Sequence, residues 1–306
     1  MTIKKTKGLI AAPFTGMNAQ GGIAINNVSS YAAHLKKMKV KGAFVAGTTG
    51  EGLFLSDNER LDVINAWVAC KESDFRLIAH AGSTSLASAK TLAYESAKAG
   101  ADAIAIMGPP FLGPNQEENL VEFCADVALS APDIPFYYYH MPSLSRVNVS
   151  MSKFLSLAKS RIPNLAGIKF TDNNLMEMSN CLSMDDGKWD ILHGYDELLL
   201  AGLSFGAQGA VGSTYNFLAP LYYGIIEDFE NGRINEARAK QRKSIEFIEI
   251  LIRYHGALVS GKAIMGLIGV SCGPCRKPLR NLTPDETRNL ELELSNLGFF
   301  EMIESC

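Results

Sequence analysis

Eight short apolar runs, each followed by a stretch of helical character, constrain this chain more than any other feature of its sequence. The runs are GLIAAPF (8–14), GAFVAG (42–47), RLIAHAG (76–82), ADAIAIMG (101–108), IPFYYYHMP (134–142), LAGIKFT (165–171), WDILHGYD (189–196) and GAQGAVGST (206–214). They are nearly continuous in apolar character, as parallel strands covered on both faces must be. Of the intervening segments, SSYAAHLKKMKV opens on serines suited to an N-cap, and SDNERLDVINAWVACKES opens on the capping residues Ser56 and Asp57. ASAKTLAYESAKAG ends on Gly100, suited to a C-cap. Eight βα repeats predict an α/β fold, a closed (β/α)8 TIM barrel over residues 1–230, because each crossover is right-handed and the sheet can close.

After the eighth run the pattern turns purely helical, from APLYYGIIEDFENGRINEARAKQRKSIEFIEILIRYHG through GKAIMGLIG to TPDETRNLELELSNLG. No Pro/Gly/Ser-rich linker separates these stretches from the barrel, so residues 231–306 read as extra helices packed on it within one domain, 1–306. A chain of 306 residues that is 47% hydrophobic can bury a core of that size. Its net charge of −3 argues against nucleic acid or an anionic membrane surface as partner. No apolar run approaches the roughly 20 residues a membrane span needs. The basic opening MTIKKTKGLIAAPF has a short apolar part that breaks at Pro13, and it reads as a first strand, not a signal peptide.

The cysteines are Cys70, Cys124, Cys181, Cys272, Cys275 and Cys306, four of them at no regular spacing, which suits a reducing cytoplasm. Cys272 and Cys275 form a Cys-x-x-Cys in SCGPCRK, a pattern found in dithiol and zinc chemistry. Neither a second such pair nor a histidine pair stands nearby to complete a zinc site, and the motif sits far from the start of any small βαβ unit. Two ordinary thiols at a turn made by Gly273 and Pro274 is the simpler reading.

In a barrel of this kind, function gathers at the C-terminal ends of the strands and the loops that follow. The polar residues there are Thr48, Thr49, Tyr139, His140, Lys169, Thr171, Asp196, Glu197, Ser213 and Thr214. Lys169 is the misfit, a cation in the apolar run LAGIKFT. Its stem can pack in the wall while the ammonium snorkels to the rim. Alternatively it is a nucleophilic amine: burial disfavours the cation, and lowering its pKa to about 7–8 takes about 3–5 kcal/mol. A neutral lysine there can attack a ketone and form a Schiff base. Tyr139 lies one βα unit earlier and can converge on it, although Tyr137 shares its strand face and alternation alone does not choose between them. The turn AGTTGEG (46–52) offers two hydroxyls and backbone N–H groups in a glycine-permitted conformation, a cradle for a carboxylate. His140 reads as a structural histidine, and Asp196 and Glu197 alone would read as acids at a helix start.

The motifs GTTGE, YYYHMP, GIKFTD, HGYDE and VGSTYN, in this order and spacing, resemble the N-acetylneuraminate lyase branch of the family that includes dihydrodipicolinate synthase. The resemblance spans nearly the whole chain. It implies a class I aldolase, cleaving N-acetylneuraminate to N-acetylmannosamine and pyruvate with no metal or organic cofactor, in a cytoplasmic homotetramer. It further implies that Lys169 is the Schiff-base lysine and Tyr139 the catalytic tyrosine. Thr48 and Thr49 would bind the pyruvyl carboxylate, and Thr171, Gly194, Asp196, Glu197 and Ser213 the sugar-derived chain.

The sequence also departs from relatives. Leu144 stands where dihydrodipicolinate synthases typically carry an arginine for a second carboxylate, which favours the lyase branch. Arg146 occupies a position where lyases often carry glycine, which bears on the loop after the fifth strand. Phe111 and Leu112 replace the tyrosine that in many relatives reaches a neighbouring subunit. Three other readings are open: a sister aldolase acting on a different 2-oxo sugar acid, a thiol-disulfide protein using Cys272 and Cys275, and a non-catalytic sugar-acid sensor.

Overall fold

The computed structural model describes residues 3–304; Cys306, like Met1 and Thr2, lies outside the described residues. Eight parallel strands close into a barrel in sequence order: β1 (Gly8–Ala11), β2 (Gly42–Val45), β3 (Arg76–His80), β4 (Ala103–Met107), β5 (Phe136–His140), β6 (Leu165–Phe170), β7 (Asp190–His193) and β8 (Gly209–Gly212). Closure is made by β1 against β8, with Gly8 to Ala11 paired to Gly209 to Gly212. The strands are shorter than the apolar runs that announce them, because each run continues into the loop at the barrel mouth and four of them also begin ahead of their strand.

Alternation along the strands sorts the core into two layers. Ile10, Phe44, Ile78, Ala105, Tyr137, Leu192 and Val211 fill the interior, and their neighbours Leu9, Val45, Leu77, Ile106, Tyr138 and Ile191 pack under the helices. Both layers are apolar, which is why the runs show no polar face.

Helix boundaries follow local chemistry. Asp57–Cys70 opens on a capping box, with Ser56 Oγ accepting from the Glu59 N–H and the Glu59 carboxylate accepting from the Ser56 N–H. Leu86–Ala99 stops at Gly100, which takes φ +108°. The serine cap expected for SSYAAHLKKMKV is not formed: the helix starts earlier, at Val28, and Ser30 Oγ donates within its first turn to the Asn27 carbonyl. The long helical stretch after β8 divides into Ala219–Glu230 and Ile234–Arg253 at Gly232, whose φ of +73° ends the first helix. Gly256–Leu267, Pro284–Asn296 and Phe299–Glu304 complete the helical extension, and Phe299 packs edge-on against Phe217 and Phe247.

The N-terminal end of the barrel is closed by a polar plug. Asp190 accepts from the Thr6 N–H and hydroxyl and from the Tyr137 hydroxyl at 2.8 Å, and Arg76 donates to Tyr137 Oη at 2.9 Å. Gly167 is required beside it, since a Cβ there would stand 1.9 Å from the Asp190 carbonyl oxygen.

Candidate active site

Tyr139 and Lys169 are register partners across β5 and β6 and both point into the barrel near its C-terminal end. The structure thereby separates the two tyrosines that alternation leaves equivalent: Tyr137 engages the plug, and Tyr139 reaches the mouth. Its hydroxyl lies 3.3 Å from Thr48 Oγ1 and 2.9 Å from Met141 Sδ. Burial pushes the Tyr139 phenol up to about 12, against smaller lowering effects of Thr48 and Thr171. It is therefore protonated at neutral pH.

Lys169 is 5% exposed, and its ammonium lies over two rings, 4.2 Å from the Phe44 centroid and 4.0 Å from that of Tyr139. Among the described residues no carboxylate forms an ion pair with it. Ring faces attract a cation, but the loss of water outweighs them: burial brings the Lys169 pKa down to about 7, opposed by the negative charge of Asp196. The snorkelling alternative fails, because the amine stays inside the barrel. Nearby His80 accepts the Met107 N–H at Nε2 and has Nδ1 3.2 Å from the Ala46 carbonyl. Burial, then the charges of Arg60 and Lys169, hold its pKa well below the usual histidine value, so it adds no second cation.

A cavity of about 350 Å³ opens over the lysine. Thr48, Thr49, Thr171, Gly194, Asp196, Glu197 and Ser213 line it together with Tyr139 and Lys169, so the nine residues to which the resemblance assigns roles converge, joined by Thr214 but not by His140. Thr171 Oγ1 is buried without a well-aligned partner, a polar atom free to meet a bound molecule. Gly194 makes room for it, because a Cβ there would lie 1.9 Å from that oxygen. Asp196 is buried and held by Thr214, whose N–H and hydroxyl donate to Oδ2 at 2.8 and 2.5 Å. Burial raises its pKa to about 6, with the Thr214 hydrogen bonds pulling the other way. Glu197 is half-exposed at the rim.

Several expectations are sharpened. In the turn at 46–52 the left-handed conformations fall on Ala46 and Glu51, at φ +57° and +56°, not on its glycines. The glycines provide space instead: a Cβ on Gly52 would lie 1.9 Å from the Ala46 carbonyl oxygen. Arg146 takes φ +59°, the region a glycine would favour, and its N–H caps the short Pro142–Ser145 helix. The loop after β5 thus keeps a glycine-like course. His140 faces the helical shell, with Nε2 3.5 Å from Asp172 and its ring beside Phe170. Cys272 and Cys275 are buried free thiols whose pKa values burial raises to about 12, so thiolate is scarce at neutral pH. Among the described residues no group of three or more His, Cys, Asp or Glu side chains is placed to hold a metal ion, and no helix is long and apolar enough to cross a membrane.

Tyr195, Gly212 and an apolar wall of Ile248, Ile252, Ala257 and Leu258 also line the cavity, beyond the residues expected there. Tyr195 had a signal, since it sits inside GYDE. Gly212 had none: its role is space, as a Cβ there would stand 1.8 Å from Asp196 Oδ1. The wall comes from helices distant in sequence.

The sequence matches the Dihydrodipicolinate synthetase family over residues 5–297. The N-acetylneuraminate lyase of Rattus norvegicus is 38% identical over 300 residues, 97% of this chain and 94% of that protein. That of Xenopus tropicalis is 40% identical, covering 95% and 98%. The structure of Proteus mirabilis N-acetylneuraminate lyase superposes with a TM-score of 0.94 at 40% identity, covering 97% of this chain and all of that one. The chain belongs to the dihydrodipicolinate synthetase family, within which it groups with the N-acetylneuraminate lyases.

Proposed function

We propose that this chain is a class I aldolase that reversibly cleaves N-acetylneuraminate to N-acetylmannosamine and pyruvate, with Lys169 as the Schiff-base nucleophile. The observation that carries this is the buried amine at the barrel mouth, with a pKa of about 7, beside the Tyr139–Thr48 hydroxyl pair. Roughly half of such an amine is neutral at pH 7, against about one in 2,500 for a free lysine.

The open-chain substrate sets its carboxylate on Thr48 and Thr49. The neutral Lys169 nitrogen adds to the C2 ketone, and the carbinolamine takes up one proton from solvent and loses water, leaving a protonated imine. As C3–C4 breaks, its electron pair moves into C2–C3 and the imine nitrogen takes up the displaced pair, giving an enamine. The C4 hydroxyl loses its proton to the Tyr139 oxygen. Because that phenol starts protonated, it passes its own proton on, to the substrate carboxylate or through Thr48, while accepting the new one. N-acetylmannosamine departs, C3 of the enamine is protonated, and water hydrolyses the imine to free pyruvate. Thr171, Gly194, Asp196, Glu197 and Ser213 hold the sugar chain along the cavity wall. No metal or organic cofactor enters this sequence, since the iminium is the electron sink.

We take residues 1–230 and 231–306 as barrel and extension of one domain, which the packing of Phe299 on Phe217 supports. We also read the enzyme as a cytoplasmic homotetramer. The free thiols suit a reducing compartment. Phe111 and Leu112, 88% and 84% exposed after β4, are large apolar side chains of the kind a second copy covers. The test of function is mass spectrometry after pyruvate and borohydride, together with a cleavage assay. One reduced adduct per chain at Lys169, absent from an inactive Lys169→Ala, is expected. An adduct on another lysine, or turnover in that variant, refutes the assignment.

A further inference from the structure

Glu51 closes the turn that carries Thr48 and Thr49, and its side chain is tied to the far end of the sequence. Its N–H donates to the Thr48 carbonyl at 3.0 Å, with a left-handed backbone unusual for glutamate. Its carboxylate is fully buried and 2.6 Å from Nζ of Lys262, which is equally buried in the helix Gly256–Leu267. The second carboxylate oxygen accepts the Arg276 N–H at 2.7 Å, and Lys262 Nζ donates to the Pro274 carbonyl at 2.9 Å. Both backbone groups belong to the CGPCR segment, which is itself fixed. Gly273 takes φ +62°, where a Cβ would lie 1.9 Å from the Met17 carbonyl oxygen. The Asn281 side chain bonds the N–H and the carbonyl of Cys275. The Arg276 guanidinium is anchored on Glu59 and on the Gly21 and Phe54 carbonyls.

We propose that Glu51 and Lys262 are positioning residues, which lock the Thr48–Thr49 turn to the backbone of residues 272–276 and so set the carboxylate cradle. This rests on the reading of Thr48 and Thr49 as that cradle. A buried ion pair seldom stabilises more than a well-packed apolar pair of the same size. What it does here is fix direction: three contacts tie Glu51 to the helix Gly256–Leu267 and to the backbone of residues 274–276, three residues from the hydroxyl that touches Tyr139. It also gives the Cys-x-x-Cys segment a role through its backbone groups, with the thiols as bystanders.

The test measures borohydride trapping of Lys169 against pyruvate concentration in wild type, in Glu51→Gln/Lys262→Met and in Thr48→Val. Methyl pyruvate, which lacks the anion, is the control carbonyl. The double variant is expected to raise half-saturating pyruvate about 10- to 100-fold, the scale of misplacing a binding group by about 1 Å, with the limiting rate and methyl pyruvate trapping changed by less than about threefold. A merely structural pair would instead lower trapping of both carbonyls in parallel through a smaller active fraction, and that result overturns the proposal. Wild-type half-saturation in the folded double variant, with a raised value in Thr48→Val, overturns the positioning role alone. An unchanged value in Thr48→Val overturns the cradle and this proposal with it. If the double variant does not fold, Arg276→Ala decides: it releases the outer anchor, and half-saturating pyruvate should rise at least about threefold. No rise overturns the proposal.

Discussion

Lys169 and Tyr139 face each other in register across β5 and β6, which sets the ammonium nitrogen 4.0 Å from the centre of the tyrosine ring. The same ring that flanks the amine carries the hydroxyl that meets Thr48, so one strand pair holds the proposed nucleophile and proton relay at fixed separation. Deep in the barrel the amine is short of water, and its pKa falls to about 7.

The first prediction concerns pH. With the neutral amine as the proposed nucleophile, trapping of pyruvate by free enzyme should rise about tenfold per pH unit below pH 7 and level off above it. Asp196 opposes the fall in the Lys169 pKa through its negative charge. Asp196→Asn should therefore move the midpoint to lower pH. A midpoint near pH 10, or a shift upward in the variant, contradicts the electrostatic account.

The second concerns stability. Burial lowers the Lys169 pKa from 10.5 to about 7, so between these values the unfolded chain binds more protons than the folded one. Wild-type stability from this group accordingly rises with pH across that window, and below pH 7 the full penalty applies, on the order of 5 kcal/mol. Lys169→Met, which keeps the stem, should unfold at higher denaturant concentration at pH 7 and lose that pH-dependent component. A variant less stable than wild type would show that the amine's contacts outweigh its desolvation.

How much of this was legible follows from where the information sits. The barrel was readable because its strands are covered on both faces, which leaves eight unbroken apolar runs, and because each mouth residue belongs to a short local motif. The choice of Tyr139 over Tyr137 was not readable from alternation. It depends on Asp190 and Arg76 engaging one hydroxyl at the closed end. The partnership of Glu51 with Lys262 joins residues 211 positions apart and leaves no periodic trace. Gly194 and Gly212 were harder still, since each matters for the side chain its missing Cβ would strike. The missed start of the first helix is a local failure: serine is as able to bond back within a first turn as to cap it, as Ser30 does.

The third prediction separates the CGPC thiols from their backbone. Cys272 Sγ donates only a weak contact to the Val270 carbonyl, and neither thiol lines the cavity over Lys169. Cys272→Ser/Cys275→Ser should keep cleavage activity within a few-fold, show wild-type behaviour in insulin reduction assays, and leave half-saturating pyruvate unchanged. A large loss of turnover in a folded double variant would return the dithiol reading to consideration.

The last prediction concerns what the rim selects. Glu197 is half-exposed and lines the cavity, whereas Asp196 below it is buried and already holds Thr214. The two acids are thus not equivalent. Asp196 is the more constrained of the two sugar-chain candidates, and Glu197 is the acceptor we propose with freedom to meet a hydroxyl on the distant end of a nine-carbon sugar acid. Losing a charged acceptor from a neutral hydroxyl costs about 1.5–3 kcal/mol, so Glu197→Ala should lower kcat/KM on N-acetylneuraminate roughly 10- to 150-fold. In the proposed pose pyruvate ends near Thr48 and Thr49, so imine formation with pyruvate should be nearly untouched. Equal losses on both would assign Glu197 to the start of the helical turn that follows β7 and not to the sugar. Should the wild-type enzyme cleave a shorter 2-oxo sugar acid faster than N-acetylneuraminate, the Schiff-base chemistry would stand and the substrate would not. Comparing the variant's loss on the two sugar acids then tells which chain length the rim reads.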